Sequence, residues 1–127
     1  MNKLRTIKFD KVVIDCLDPA SLSDFYIKLL GWKKGYDKED FIIIGSETCN
    51  VDIGFQKNPD YIQPKWPESG KEQQQMLHLD FAVANEEHQE WVQYAISCGA
   101  KAAEQQYSDL WTVMIDPEGH PFCIDTM

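Results

Sequence analysis

Two segments of the chain alternate hydrophobic and polar residues in the same order, KVVIDCLD from Lys11 and HLDFAVAN from His78, 67 positions later. A period of two is typical of a β-strand. Each segment ends in a residue suited to capping a helix, Asp18 or Asn85. We interpret the chain as a duplicated module and expect any functional site to be built between the two copies.

A helical pattern follows each predicted strand. The apolar or aromatic positions recur at a spacing of three and four residues: Leu22, Phe25, Tyr26, Leu29 and Leu30 in the first copy, His88, Trp91, Val92, Ala95 and Ile96 in the second. Each pattern stops at a glycine, Gly31 or Gly99, which is the expected position for a left-handed C-terminal cap.

The remaining patterns complete a βαβββ unit that is written twice. The first copy is predicted as a strand at 9–16, a helix at 19–30 and strands at 33–37, 41–44 and 50–56; the second as a strand at 77–83, a helix at 86–98 and strands at 101–105, 110–115 and 122–125. The prediction is one α+β domain over 1–127, with modules at about 8–57 and 76–127.

A loop at 58–75 joins the modules and contains three prolines, which prevent regular structure. Loops of this length inside a domain are either functional or linkers. Because this one carries Tyr61, Ile62 and Trp66, both a functional lid and a packed linker remain open. Tyr61 and Trp66 suit interface anchors as well as ligand contacts.

Alternation along each strand assigns its side chains to two faces. The helix-covered face is predicted to hold Val12, Ile14, Cys16, Val51, Ile53, Phe55, Leu79, Phe81, Val83, Phe122 and Ile124. The opposite face holds Lys11, Asp15, Asp52, Gln56, His78, Asp80, Cys123 and Asp125. Polar chemistry is therefore concentrated on one concave face of each sheet.

Composition narrows the class of protein. The chain is 43% hydrophobic, enough for a packed core, and its net charge of −9 argues against binding to nucleic acid or to an anionic membrane surface. The four cysteines include no CxxC pair, so no disulfide framework is indicated. Without an apolar run of signal-peptide or membrane-spanning length, we expect a cytoplasmic protein.

Several of these motifs resemble the glyoxalase-like branch of the vicinal oxygen chelate superfamily, which includes glyoxalase I, bleomycin-resistance and fosfomycin-resistance proteins and extradiol dioxygenases. The resemblance covers roughly residues 9–125, and it implies that the mixed sheets of the two modules curl into a cup. It is carried by Asp18-Pro19, Phe25-Tyr26, the run LLGW from Leu29, Trp66-Pro67, Gln74-Gln75, the run LHLDFAV from Leu77, Gly99-Ala100, residues 111–115 and the run DPEGHPFC from Asp116.

The resemblance implies four metal ligands in catalytic members, one from the first and one from the last strand of each module. These positions correspond here to Lys11, His78, Cys123 and either Asp52 or Gly54. Lys11 departs from the ligand pattern of the family, because an ammonium has no lone pair to donate to a metal. We therefore expect no catalytic metal. If zinc, nickel, iron or manganese does bind, His78, Cys123 and Asp52 are the candidate ligands.

Other functions of these residues remain open. His78 also suits a hydrogen-bonded pocket residue, and Cys123 suits simple packing. His88, at a core spacing, is interpreted as structural, and His120 as part of a turn or a pocket rim. The expected ligand pocket contains Lys11, Asp15, Gln56, Trp66, His78, Asp80, Trp111 and Cys123. Within it, Lys11 and Asp80 are predicted to form an ion pair.

Three alternative functions are consistent with these sequence features. The first is a glyoxalase-like or bleomycin-resistance-like protein that binds a small molecule in the cup without a metal. The second is a metal-dependent lyase or dioxygenase with an altered ligand set, so whether the protein is an enzyme stays open. The third is a dimeric protein without a ligand. From the resemblance and the exposed sheet edges, a homodimer is expected.

Overall fold

The computed structural model describes residues 6–127 as two four-stranded mixed sheets with helices between them. The first module contains β1 (Lys11–Cys16), α1 (Pro19–Leu30), β2 (Lys33–Lys38), β3 (Phe41–Ser46) and β4 (Cys49–Lys57). The second contains β5 (Leu79–Val83), a 3-10 turn (Asn85–Glu87), α2 (His88–Cys98), β6 (Lys101–Ala102), β7 (Trp111–Ile115) and β8 (Pro121–Thr126). The predicted pair of βαβββ modules in an α+β fold is confirmed.

Both sheets have the same topology. The first and last strands of each module lie side by side and parallel, giving the orders β1-β4-β3-β2 and β5-β8-β7-β6. In the first sheet Lys11 lies opposite Asp52, and in the second Asp80 lies opposite Cys123. This register places polar side chains from sequence-distant strands next to each other on one face.

The helix ends show where the repeat is imperfect. Asp18 caps α1 by accepting a hydrogen bond from the Ser21 N–H at 3.2 Å, and Gly31 has the predicted left-handed conformation, with φ of 70°. The prediction that Asn85 caps the second helix is wrong. Asn85 lies inside the 3-10 turn, so α2 begins only at His88 and its N-terminus has no side-chain cap.

The core lies under the helices and includes every inward strand position predicted from alternation except Val51, which is only half-buried. Five aromatic rings from both modules, with centroids 4.8 to 6.4 Å apart, form its centre: Phe25, Tyr26, Phe55, Phe81 and Phe122. A predicted inward position of the second helix also fails, because Ile96 at the end of α2 is 40% exposed. The core is thus shared, and α1 contacts strands of both sheets.

Buried polar groups and the cysteines complete this picture. His88 is buried, and its Nε2 lies 3.0 Å from the Ile124 carbonyl oxygen, a structural contact. All four cysteines are free thiols. Within residues 6–127, no helix is both long enough and apolar enough to cross a membrane.

Candidate functional site

A cavity of about 300 Å³ lies between the two modules. Its walls come from β1, from the connecting segment 58–75 with the residues just after it, and from the turn between β7 and β8. Val13, Asp15, Tyr61, Leu77, His78 and His120 are among its lining residues. The connecting segment therefore packs as a wall, which favours the packed-linker interpretation in this conformation.

The turn between β7 and β8, residues 116–120, contacts the first module. We call this turn the clasp. The Asp116 carboxylate is buried and accepts hydrogen bonds from the Tyr26 hydroxyl at 2.8 Å and from the Glu118 and His120 backbone N–H groups at 2.9 and 3.0 Å. The Glu118 carboxylate accepts from the N–H groups of Leu17 and Asp18, at 2.6 and 2.9 Å. The turn thereby holds the junction between β1 and α1.

His120 is the ring at the centre of this clasp. Its Nδ1 lies 2.8 Å from Asp116 Oδ2, and its Nε2 lies 2.7 Å from the Asp15 carbonyl oxygen. Desolvation opposes the charged form, but the hydrogen bond and negative charge of Asp116 outweigh it and raise the pKa of His120 above its usual value. The cavity wall therefore includes a histidine ring whose charged form is favoured by a buried carboxylate.

Tyr61 fastens the connecting segment to the same turn. Its hydroxyl donates to the Glu118 carbonyl oxygen at 2.9 Å, and its ring stacks on His120 with centroids 5.1 Å apart. Desolvation, followed by nearby carboxylates, raises the pKa of Tyr61 well above its usual value. Tyr61 therefore stays neutral in the physiological range.

Two polar contacts orient other side chains of the cavity wall. The Asn58 side-chain amide donates to Asp15 Oδ2 at 3.1 Å. The Gln75 Nε2 donates to Glu68 Oε1 at 2.7 Å, while the Gln75 Oε1 is buried and has no hydrogen-bond donor among the described residues. A buried acceptor without a donor is uncommon in proteins.

A second polar cluster lies in the second module, with two exposed members, His78 and Asp80, and one buried member, Cys123. The ligand-type atoms of His78, Asp80 and Cys123 all lie within 4.8 Å of one another, with His78 Nε2 at 3.1 Å from Asp80 Oδ1. Burial, with the charges of Asp80 and Asp125, raises the pKa of the Cys123 thiol to about 12. These three side chains are the residues described here that could hold a metal ion.

The four positions implied by the resemblance do not fit a divalent metal as a set. Lys11 and Asp52 lie opposite each other in the first sheet, and the Lys11 ammonium makes an ion pair with Asp10. The Asp52 carboxylate lies over Gly45, where any Cβ would clash with it. An ammonium at a ligand position repels a dication and offers no lone pair.

The predicted pocket residues do not all lie in one site. Asp15 and His78 line the cavity; Asp80 and Cys123 join His78 in the second cluster. The other four predicted residues do not line the cavity: Lys11, Gln56, Trp66 and Trp111. Trp66 instead contacts Tyr107, with ring centroids 6.2 Å apart, because the connecting segment folds back toward the second module.

The predicted ion pair between Lys11 and Asp80 is wrong. Lys11 pairs with its neighbour Asp10, and Asp80 pairs with His78. The physical reason is that β1 and β5 belong to different sheets, so the two side chains are not strand neighbours.

Sequence reasoning missed Asn58 and Gln75. It interpreted Tyr61 as an interface anchor or ligand contact and His120 as part of a turn or a pocket rim, but it did not predict the contacts between them. Asn58 and Gln75 belong to the segment without periodicity, where no pattern reports side-chain direction. The only available signal was the run DPEGH at a turn, where an Asp and a His four residues apart come close together.

Comparison with known proteins agrees with this architecture. The glyoxalase-like domain family matches residues 11–124. A glyoxalase/bleomycin resistance protein/dioxygenase family enzyme from Burkholderia phytofirmans superposes with a TM-score of 0.73 at 20% identity, covering 94% of this chain and 98% of that one. A glyoxalase/bleomycin resistance protein from Albidiferax ferrireducens gives a TM-score of 0.65 at 19% identity, with the same coverage.

A genomically encoded fosfomycin resistance protein from Listeria monocytogenes gives a TM-score of 0.70 at 10% identity, over 98% of this chain and 95% of that chain. No curated protein matches the sequence. The chain belongs to the glyoxalase-like domain family, within the vicinal oxygen chelate superfamily. The structural similarities, all at low identity, show the fold.

Proposed function

We propose that this protein binds a small organic molecule in the cavity between its modules, without a catalytic metal. The carrying observation is the cavity itself, whose volume of about 300 Å³ lies at the lower end of the range for small-molecule sites. The clasp of Asp116, Glu118 and His120 supports the proposal, because it fixes the polar wall before any ligand arrives.

The proposal has two further supports. The Lys11 ammonium at a family ligand position argues against the four-ligand metal. Similar structures include proteins named for resistance to bleomycin and to fosfomycin, which are small molecules. The expected cytoplasmic location remains a prediction from the sequence alone.

A thermal-shift screen of metabolites and antibiotics tests the proposal. A ligand at ten times its Kd should stabilise the protein by about 1.4 kcal/mol, or roughly 5 °C in Tm. His78→Ala changes the cavity wall and should reduce the shift, whereas Gln105→Ala, an exposed position outside the cavity, should leave it unchanged. Hits that stabilise all three proteins equally would place the ligand elsewhere.

A metal-dependent lyase or dioxygenase with an altered ligand set is the second candidate. The convergence of His78, Asp80 and Cys123 favours it, because this set supplies nitrogen, oxygen and sulfur donors with room for water at a fourth position. It replaces the Asp52 of the expected set with Asp80.

Metal content separates the two candidates. We predict less than about 0.2 equivalents of zinc, nickel, iron or manganese in protein purified without a chelator, since Lys11 occupies a family ligand position and repels dications. Elemental mass spectrometry is the measurement. A stoichiometric metal that is lost in His78→Ala and retained in Gln105→Ala would reverse the ranking of the two functions.

A further inference from the structure

We propose that the clasp is a pH-sensitive latch of the cavity, closed while His120 carries a proton on both ring nitrogens and open when it loses one. The inference adds regulation to the cavity and in that sense rests on the proposed function, but it concerns the protein without a ligand. Three features support it: the acceptors that His120 faces, the position of the turn between the modules, and the contacts that the turn can lose.

Both ring nitrogens of His120 face acceptors. Nδ1 lies 2.8 Å from the buried Asp116 carboxylate, and Nε2 lies 2.7 Å from the Asp15 carbonyl oxygen. A neutral imidazole has a single N–H, so one of these contacts would bring a ring lone pair against an oxygen. The contact with the charged Asp116 carboxylate is the stronger of the two. Deprotonation therefore breaks the contact with Asp15.

The contact with Asp15 joins the two modules at the cavity wall. His120 belongs to the second module and Asp15 to β1, and both residues line the cavity. The connecting segment packs on the same turn at two points. The Tyr61 ring stacks on His120, and the Gln63 side chain occupies the space that a Cβ at Gly119 would need. A movement of the His120 ring therefore displaces a wall of the cavity.

The other contacts of the turn divide it into a fixed part and a part that can leave. The Asp116 carboxylate keeps three donors in either state, one from α1 and two from the backbone of its own turn. The Glu118 carboxylate instead accepts from the Leu17 and Asp18 N–H groups at an exposed position, where water can replace it. The Glu118 and His120 side chains can therefore leave the first module while Asp116 anchors the turn.

Other titratable groups surround His120 on every element packed against it. They are Asp15 and Cys16 on β1, Tyr26 on α1, Tyr61 on the connecting segment, and Asp116 and Glu118 on the turn itself. Burial raises the pKa values of the thiol and of the two phenols. These three groups therefore stay neutral over the range in which a histidine titrates.

The direction of the switch follows from proton linkage. Desolvation lowers the pKa of His120, but the hydrogen bond and charge of Asp116 outweigh it, so the closed form holds its proton more tightly than a free ring does. Acid therefore closes the latch. As the pH rises from the free-ring value of about 6.5 toward the raised value, the ratio of open to closed molecules should increase about tenfold per pH unit.

An NMR titration of the ligand-free protein between about pH 5.5 and pH 9 tests the latch. The His120 ring signals should titrate in this range. The Leu17 and Asp18 amide protons should move upfield with the same midpoint, because they lose the Glu118 carboxylate. Nuclear Overhauser contacts between the Tyr61 and His120 rings should disappear over the same range.

Two variants identify the titrating group. The chain has three histidines, of which His78 lines the same cavity without belonging to the clasp. His78→Asn should keep the pH response of the Leu17 amide, whereas His120→Asn should abolish it because the titrating ring is gone. The Ala103 amide donates to the Val113 carbonyl oxygen at 3.0 Å in the second sheet. Its signal should not move, which shows that the fold is retained.

Loss of the ring contacts at the midpoint of the His120 titration supports the latch. If His120 titrates while its contacts with Tyr61 persist, the clasp stays closed in both states and the inference is wrong. A ring that does not titrate in this range, or a response that survives His120→Asn, also overturns it. The wild-type titration is decisive even if a variant does not fold. Because no ligand enters the experiment, a clasp that stays closed leaves small-molecule binding standing, and a thermal-shift screen without hits leaves the latch standing.

Discussion

His120 shows how neighbours determine the chemistry of a single side chain. Its Nε2 faces a backbone carbonyl oxygen and its Nδ1 faces a carboxylate, and both of those groups are acceptors. Both ring nitrogens must therefore donate, and only the imidazolium has two N–H groups. Asp116 supplies the balancing charge, while Glu118 adds a more distant one.

A pH dependence of stability follows from this arrangement. Because the folded-state pKa is raised, the stabilisation by His120 is complete below the unfolded value of about 6.5 and is lost as the pH rises through the folded-state value. In urea unfolding between about pH 5.5 and pH 9, His120→Asn should therefore be most destabilising at the acidic end.

Tyr61→Phe is the control for this experiment. It removes a hydrogen bond to the same turn, which should lower the free energy of unfolding by about 1 kcal/mol. It does not remove a group that titrates in this pH range. Its effect should be constant with pH. A His120→Asn effect that is equally constant would mean that the ring is neutral in the folded protein.

The helix ends illustrate what a single element requires. Gly31 follows α1 with φ of 70°, a region that side chains with a Cβ rarely adopt, and nothing lies within 4 Å of the position that a Cβ would take. Backbone conformation alone, without any steric contact, therefore accounts for the glycine.

Substitution by alanine measures that requirement. Gly31→Ala should lower the free energy of unfolding by about 1 to 2 kcal/mol, the cost of the left-handed conformation for a residue with a Cβ. Gly70→Ala is the matched control, because its Cβ would also meet nothing within 4 Å and its φ is not positive. Equal effects in urea unfolding would exclude the conformational explanation.

The assembly of the whole molecule involves its uncovered edges and apolar side chains. Each sheet has two edge strands within the chain, and Phe9, Met76 and Leu77 are 68%, 82% and 59% exposed. Exposed apolar groups and unpaired strand edges are features of interaction surfaces.

We predict a homodimer, with twice the chain mass of 14.7 kDa. Light scattering at micromolar concentration is the measurement. Phe9→Ser should weaken the dimer. Tyr36→Ser changes an exposed aromatic side chain on the edge strand β2, and comparing the two variants tests which surface forms the dimer interface. A monomeric mass across this concentration range would contradict the prediction.

Local patterns in the sequence determined the elements of this fold. Strand alternation and helical spacing depend on the backbone geometry of neighbouring residues. Both ends of α1 were therefore predicted, and so were the buried faces of β1, β4, β5 and β8, except at Val51. Repetition and motif resemblance then indicated the family. Where a local feature differed between the copies, as at Asn85, the same reasoning failed.

The tertiary structure alone decided which polar side chains meet. Alternation assigns a side chain to a face, but it contains no information on the angle between two sheets or on the path of an aperiodic segment. Lys11 and Asp80 were therefore paired wrongly, while His120 reaches the backbone of Asp15 across 105 positions of sequence. The cavity exists because the clasp and the connecting segment close the space between the modules, and such contacts are set by packing rather than by sequence neighbours.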